Sequence, residues 1–137
     1  MNYPRTVEEV IKDATYPESV MVAMSAFKAS KPWRGGERER RDKLRALHAD
    51  LNTAFGRTTK LSFEPGFKNG CYIPSKDKII ITGEPSVITY LHEYAHALYG
   101  RSERKACEWS INLFRQVFPK SYARLQSDGH MLKKGGQ

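Results

Sequence analysis

The sequence predicts a small α+β domain with N-terminal helices, a short antiparallel sheet and two further helices after it. Three observations predict this class: apolar residues at helical spacing before residue 56, short strand-like runs between residues 61 and 82, and two amphipathic stretches between residues 87 and 118. A chain of 137 residues can bury one hydrophobic core and is too short for two. We therefore expect residues 1–137 to form a single domain.

Three helices are predicted before the sheet. Residues 6–9 match a capping box, which is typical of the start of a short helix. Residues 17–29 and the stretch ending at residue 55 repeat apolar side chains at helical spacing. The apolar positions are Val20, Met24 and Phe27 in the first of these two stretches, and Leu44, Leu47, Leu51 and Phe55 in the second. Both stripes are expected to face the core.

Three short strands are predicted in the middle of the chain. Residues 61–64 alternate apolar and polar side chains, and residues 70–73 and 78–82 flank a four-residue turn, as in a β-hairpin. A small antiparallel sheet is therefore expected. An edge strand of such a sheet can hold an extended peptide by main-chain hydrogen bonds, whereas a hairpin in the interior only covers the core, and the sequence leaves both open.

The helix predicted between Ser86 and Gly100 carries the most specific motif in the chain. His92, Glu93 and His96 have the HExxH spacing, which places both imidazoles on one helix face, one turn apart, within reach of a single metal ion. Glu93 stands beside that ion and can accept a proton from a metal-bound water and return it to a leaving group. The motif therefore predicts a zinc hydrolase with His92 and His96 as metal ligands and Glu93 as the general base.

A hydrolytic zinc site usually has three protein ligands and one open position, so a third ligand is expected. Glu103 and Glu108 both lie on the next predicted helix, residues 103–118. Glu103 points inward with the apolar face of this helix, whereas Glu108 lies on a mostly polar face. That face also carries Asn112, which can hydrogen-bond a ligating histidine. We favour Glu103 as the third ligand, with Glu108 as the alternative.

The stretch 92–119 resembles the minigluzincins, small zinc peptidases that include the ImmA/IrrE-like proteins, and within them phage and prophage-type members. These proteins carry HExxH, a short turn often containing Gly, and a Glu followed three and four residues later by Ala and Asn. The matching residues are His92, Glu93, His96, Gly100, Glu103, Ala106, Trp109 and Ser110. Cys107 departs from the pattern, because Asn is expected there, and this keeps Glu108 open as a ligand. The likeness covers about a quarter of the chain.

The resemblance implies a zincin-like domain and a cytoplasmic metalloprotease. One Zn²⁺ per chain would be held by His92, His96 and Glu103, and a protein or peptide substrate would be cleaved through a metal-activated water. A tetrahedral intermediate also needs a hydrogen-bond donor besides the metal, and His130 or one of three tyrosines can be considered for it. The tyrosines are Tyr72, Tyr90 and Tyr99. An exposed histidine near the end of the chain is the other interpretation of His130.

Composition limits the partners and keeps two other functions open. The net charge of +8 admits weak nucleic-acid affinity, but acidic residues interrupt the densest basic stretch, residues 34–45, so a solvated helix face is favoured there. The chain has no apolar run long enough for a membrane span and no signal-peptide pattern, which favours a cytoplasmic protein. One alternative is a SprT-like protease acting on DNA-bound proteins. The other is a non-catalytic binding module that contains zinc.

Overall fold

Helices pack against a small sheet in the part of the chain that the structure describes, which confirms the α+β class. The computed structural model describes residues 7–66, 69–128 and 131–134. The elements, in chain order, are α1 (Glu18–Ala29), α2 (Glu37–Phe55), β1 (Lys60–Phe63), β2 (Gly70–Ile73), β3 (Lys78–Ile81), α3 (Val87–Tyr99), α4 (Glu103–Val117), α5 (Pro119–Ala123), β4 (Leu125–Asp128) and β5 (Met131–Lys134). The short helix expected at residues 6–9 is a single 3-10 turn, Val7–Glu9, and its predicted cap, Thr6, lies outside the described residues.

The central sheet is mixed, so the expectation of an antiparallel sheet is wrong for one of its strands. β2 and β3 form the predicted antiparallel hairpin, with Tyr72 opposite Ile79. β1, however, runs parallel to β3, and Leu61 is also opposite Ile79. The strand order is β1-β3-β2. The reason is topological. β2 runs in the direction opposite to β1 but is not its neighbour in the sheet. β3 turns back from β2 into the position between them, so β3 runs parallel to β1.

The two helices that carry the motif residues are joined by a link of three residues, Gly100 to Ser102. α3 begins at a capped end, because the Ser86 hydroxyl accepts a hydrogen bond from the amide of Thr89 at 3.3 Å. It ends at Gly100, whose φ of +77° favours glycine. α4 is capped in the same way, since the Ser102 hydroxyl accepts from the amide of Lys105 at 3.2 Å. The C-terminal half of α3 is therefore held next to the first turn of α4.

Apolar side chains from α1 to α4 and from β3 form the main core. All the predicted stripe positions of α1 and α2 are buried, except Phe55, which is half-buried and packs on the same cluster. The fully buried members include Met24, Leu44, Leu51, Ile79, Leu91 and Leu113. Among the helices in the described ranges, none combines the length and apolar character needed to cross a membrane.

A buried polar network ties α3 to α2. The Tyr90 hydroxyl lies 2.7 Å from Nδ1 of His48, and Nε2 of His48 lies 2.6 Å from the carbonyl oxygen of Thr59. Burial lowers the pKa of His48, so the ring is neutral, with Nε2–H donating to Thr59 and Nδ1 accepting from Tyr90. One turn further on, the Tyr94 hydroxyl donates to Asn52 Oδ1 at 3.0 Å. The buried face of α3 is thereby fixed, which leaves its opposite face to carry the motif residues.

Candidate metal centre

Two imidazoles and one carboxylate converge between α3 and α4. Nε2 of His92 lies 2.9 Å from Oε2 of Glu103, and Nε2 of His96 lies 2.9 Å from Oε1 of the same residue. The two rings are 4.9 Å apart between centroids and nearly perpendicular. The side chains are 6%, 14% and 19% exposed for His92, His96 and Glu103 respectively. These three residues form a group that could bind a metal ion.

The spacing of the donor atoms suits a small tetrahedral cation. One ligand atom from each residue of the group lies within 4.8 Å of the other two. Zinc bonds of roughly 2.0–2.2 Å to nitrogen and oxygen place tetrahedral ligand atoms about 3.3 Å apart. The two observed nitrogen–oxygen contacts, both 2.9 Å, are a few tenths of an ångström shorter than this separation. Two neutral imidazoles and one carboxylate are also a ligand set found in catalytic zinc sites.

The second nitrogen of each ring is held by a different part of the fold. Nδ1 of His96 donates to the carbonyl oxygen of Gly100 at 2.7 Å. Nδ1 of His92 lies 3.9 Å from Sγ of Cys107, which is completely buried on α4. Burial raises the pKa of the Cys107 thiol to about 12, so the sulfur stays neutral. These contacts orient both Nε2 atoms toward Glu103, as ligating histidines require.

Glu103 is ionised in this arrangement. The hydrogen bond with His92 is the largest of several causes that lower the pKa of Glu103 to about 2, against the opposing effect of burial. The carboxylate also opens α4, where the positive end of the helix dipole favours a negative charge. A deprotonated carboxylate is the form that binds a metal ion.

Glu108 and Asn112 lie in a separate cluster. Oε1 of Glu108 is 2.7 Å from Nζ of Lys12, and Glu108 is not part of the group found among the described residues. Nδ2 of Asn112 donates to the carbonyl oxygens of Val10 and Glu108, both at 2.8 Å, while its Oδ1 accepts from the amide of Lys12 at 3.0 Å. The predicted hydrogen bond from Asn112 to a ligating histidine is therefore wrong. This side chain anchors the N-terminal segment on α4.

A cavity of about 650 Å³ opens beside the three residues. Glu93 lines it together with His96 and Glu103, and the half-buried Glu93 side chain follows His92 directly on α3. The lining also includes Gly70, Cys71 and Tyr72 of β2. β2 is a terminal strand of the three-stranded sheet, so an edge strand borders the cavity. The sequence alone could not show which strand lies at the edge.

The sequence offered three tyrosines and His130 as hydrogen-bond donors to a tetrahedral intermediate, and the structure describes the positions of the three tyrosines. The Tyr72 hydroxyl donates to Oδ1 of Asp77 at 2.7 Å, and the Tyr90 hydroxyl belongs to the buried network with His48. Tyr99 is exposed and lines another cavity. His130 lies outside the described residues. The hydroxyls of Tyr72 and Tyr90 are therefore engaged by other residues, and Tyr99 is not among the residues that line the cavity of the metal centre.

Two residues of the site, Cys107 and Arg101, were not predicted from the sequence to have a role in it. Cys107 follows from the α4 register, since it lies four residues after Glu103 on the same face, but its contact with His92 depends on how α3 and α4 pack. Arg101 lines the cavity from the link between the helices, and nothing in its spacing marks it. No protein-family model, curated protein or solved structure matches the chain.

Proposed function

We propose that this protein is a zinc-dependent metallopeptidase of the minigluzincin type, which hydrolyses a peptide bond in a protein or peptide substrate. The observation that carries the proposal is the convergence of His92, His96 and Glu103 within ligand distance of one point, next to a cavity that Glu93 lines. In this proposal His92 and His96 bind zinc through Nε2 and Glu103 through its carboxylate.

Each residue has a defined task in the proposed reaction. A bound zinc ion would polarise the scissile carbonyl and lower the pKa of the attacking water. Glu93 takes the proton from that water and delivers it to the leaving amine, which is the work of a general base and then a general acid. The hydrogen bonds at Nδ1 of His92 and His96 hold the rings in the orientation that leaves both Nε2 atoms for the metal.

The position of Glu93 favours catalysis over a purely structural zinc site. A structural site is usually closed by four protein ligands and has no use for a carboxylate that faces an open cavity. The group found among the described residues has three members, and Glu93 and His96 both face the cavity. These features fit a site that keeps one position for water or substrate.

The edge strand β2 supports a peptide as the substrate class. β2 pairs with β3 on one side, and within the described sheet it is the terminal strand on the other. Its residues line the same cavity as Glu93. An extended peptide added along this edge would be held by main-chain hydrogen bonds while its backbone passes the metal centre.

The proposal is tested by metal content and by hydrolysis in the same set of variants. Purified wild type, Glu93→Gln, Glu103→Gln and Glu108→Gln are loaded with zinc, and bound metal is measured by elemental analysis. Wild type, Glu93→Gln and Glu108→Gln should hold one zinc per chain, and Glu103→Gln should bind it weakly. Glu108→Gln is the matched control, since it makes the same change on the same helix outside the centre.

Hydrolysis is then followed by mass spectrometry on a peptide library with zinc present. Wild type and Glu108→Gln should cleave, and Glu93→Gln should not, although it keeps its metal. Chelation should abolish cleavage and lower the melting temperature, because a ligand that binds only the folded state stabilises it. A wild type that holds no zinc under replete conditions would refute the proposal, as would a zinc-loaded wild type that cleaves nothing in the library.

A further inference from the structure

Arg101 brings a positive charge to the wall of the metal cavity. It is the middle residue of the three-residue link between α3 and α4, and its side chain is exposed while lining the cavity. The backbone on both sides is fixed: the Gly100 carbonyl accepts from Nδ1 of His96 at 2.7 Å, and Ser102 caps α4. The guanidinium is therefore carried by a segment that is bonded directly to a proposed metal ligand.

The guanidinium has no partner of its own among the residues that the structure describes. Arg104, a neighbour on α4, pairs with Glu9, whereas Arg101 makes no side-chain hydrogen bond or ion pair within the described ranges. The carboxylates that line the cavity together with Arg101 are Glu93 and Glu103. Glu103 is engaged by both imidazoles, and Glu93 is assigned to proton transfer.

The charges in the cavity therefore favour an anionic ligand group near Arg101. In the proposed function, Glu103 binds the zinc and Glu93 acts on its water, so both carboxylates that line the cavity with Arg101 serve the metal centre. A guanidinium presents parallel N–H donors that match the two oxygens of a carboxylate. The net charge of +8 on the whole chain adds a long-range attraction for acidic partners.

We infer that Arg101 binds a carboxylate of the substrate and makes this protein select peptides that carry one close to the scissile bond. The carboxylate is either an acidic side chain or the carboxyl terminus of the peptide. Arg101 is thus a specificity-determining residue, and the inference rests on the proposed peptidase function.

The test measures binding rather than turnover. Zinc-loaded Glu93→Gln protein, which the proposed mechanism leaves unable to cleave, is titrated into pools of short fluorescein-labelled peptides that are randomised except at the centre. Three amidated pools carry Glu, Gln or Lys at the centre, and a fourth carries central Gln and a free carboxyl terminus. Fluorescence anisotropy gives the apparent affinity of each pool.

The Glu pool should bind about threefold to tenfold more tightly than the Gln pool, as expected for a partly screened charged hydrogen bond. Adding Arg101→Gln should remove the preference, and Arg101→Glu should shift it to the Lys pool. The gain in affinity that depends on Arg101 can instead appear only in the pool with a free carboxyl terminus and not in the Glu pool. In that case Arg101 binds the carboxyl terminus of the peptide. Arg38→Glu on α2 is the matched control, because it makes the same charge change on an exposed residue outside the cavity lining.

Equal affinities for carboxylate and amide pools, or no binding by any pool, would overturn the inference. So would an Arg38→Glu variant that loses the preference as fully as Arg101→Glu, since the effect would then come from overall charge. Hydrolysis by the wild type, run in parallel, separates the two proposals. Cleavage without a carboxylate preference refutes only the role of Arg101. An Arg101-dependent preference without cleavage refutes the peptidase, and with it the selection of a scissile bond, but leaves the contact between Arg101 and a carboxylate.

Discussion

Replacement of Asn112 by alanine separates anchoring of the N-terminal segment from support of the metal site. The completely buried amide of Asn112 makes two hydrogen bonds to residues about a hundred positions earlier, at the Val10 carbonyl and the Lys12 amide. Loss of the buried bond leaves the Val10 carbonyl without this partner and costs about 1–3 kcal/mol, whereas Lys12 is exposed, so water can replace the bond at its amide and that loss costs about 1 kcal/mol. Asn112→Ala should therefore lower the free energy of unfolding by about 2–4 kcal/mol.

The assay is urea unfolding of metal-free protein in chelator, supported by a thermal melt and by zinc content after reloading. For a chain of this size, 1 kcal/mol corresponds to about 4 °C, so the melting temperature should fall by about 8–16 °C. Zinc content should stay at one per chain. Gln116→Ala is the control, because this exposed residue makes a single bond, to the Ala14 carbonyl, and should cost less than about 1 kcal/mol. Unchanged metal-free stability together with weaker zinc binding would refute the reasoning, since Asn112 would then act on the metal site.

Three more predictions follow from single contacts. Cys107→Ala removes the sulfur facing Nδ1 of His92 and should weaken zinc binding by about threefold to tenfold, measured by competition with a chromophoric chelator; an unchanged affinity would mean that the sulfur does not orient the ring. Burial lowers the pKa of His48, so its contribution to stability is complete above about 6.5 and is lost as pH falls toward the folded-state pKa. Urea unfolding in chelator should therefore show that the free energy of unfolding falls more steeply with decreasing pH below about 6.5 in wild type than in His48→Gln. Parallel plots of this free energy against pH for the two proteins would contradict the prediction. Asp77 has a φ of +47°, so Asp77→Ala should melt at a lower temperature than Asp77→Gly, and the reverse order would show that backbone strain is unimportant there.

The elements that could be predicted are those whose signals are local. α3 has the predicted bounds because its capping serine, apolar stripe and terminal glycine all lie within its own sequence. α2 begins at Glu37, before the first stripe residue Leu44, because its first turns are charged and face solvent, so no apolar period marks them. The direction of β1 could not be predicted, because strand pairing depends on where β3 returns rather than on the pattern within β1.

The same distinction applies to the site. The spacing of His92 and His96 is a property of one helix, so it could be predicted from sequence. The partner of Asn112 could not, because an amide on a polar helix face suits a histidine or a backbone carbonyl equally well. The backbone that it holds comes from the other end of the chain. The contact between Cys107 and His92 depends in the same way on how two helices pack.

Helix geometry explains why Glu103, rather than Glu108, reaches the imidazoles. The link between the helices has only three residues, so the first turn of α4 must lie beside the C-terminal half of α3. Five further residues of α-helix move a side chain about 7.5 Å along the axis and about 140° around it. Glu108 therefore lies beyond the rings and on another face, where it meets Lys12. The length of the link thus selects the third residue of the group, and one residue inserted after Arg101 should displace Glu103 from both imidazoles while leaving the HExxH helix intact.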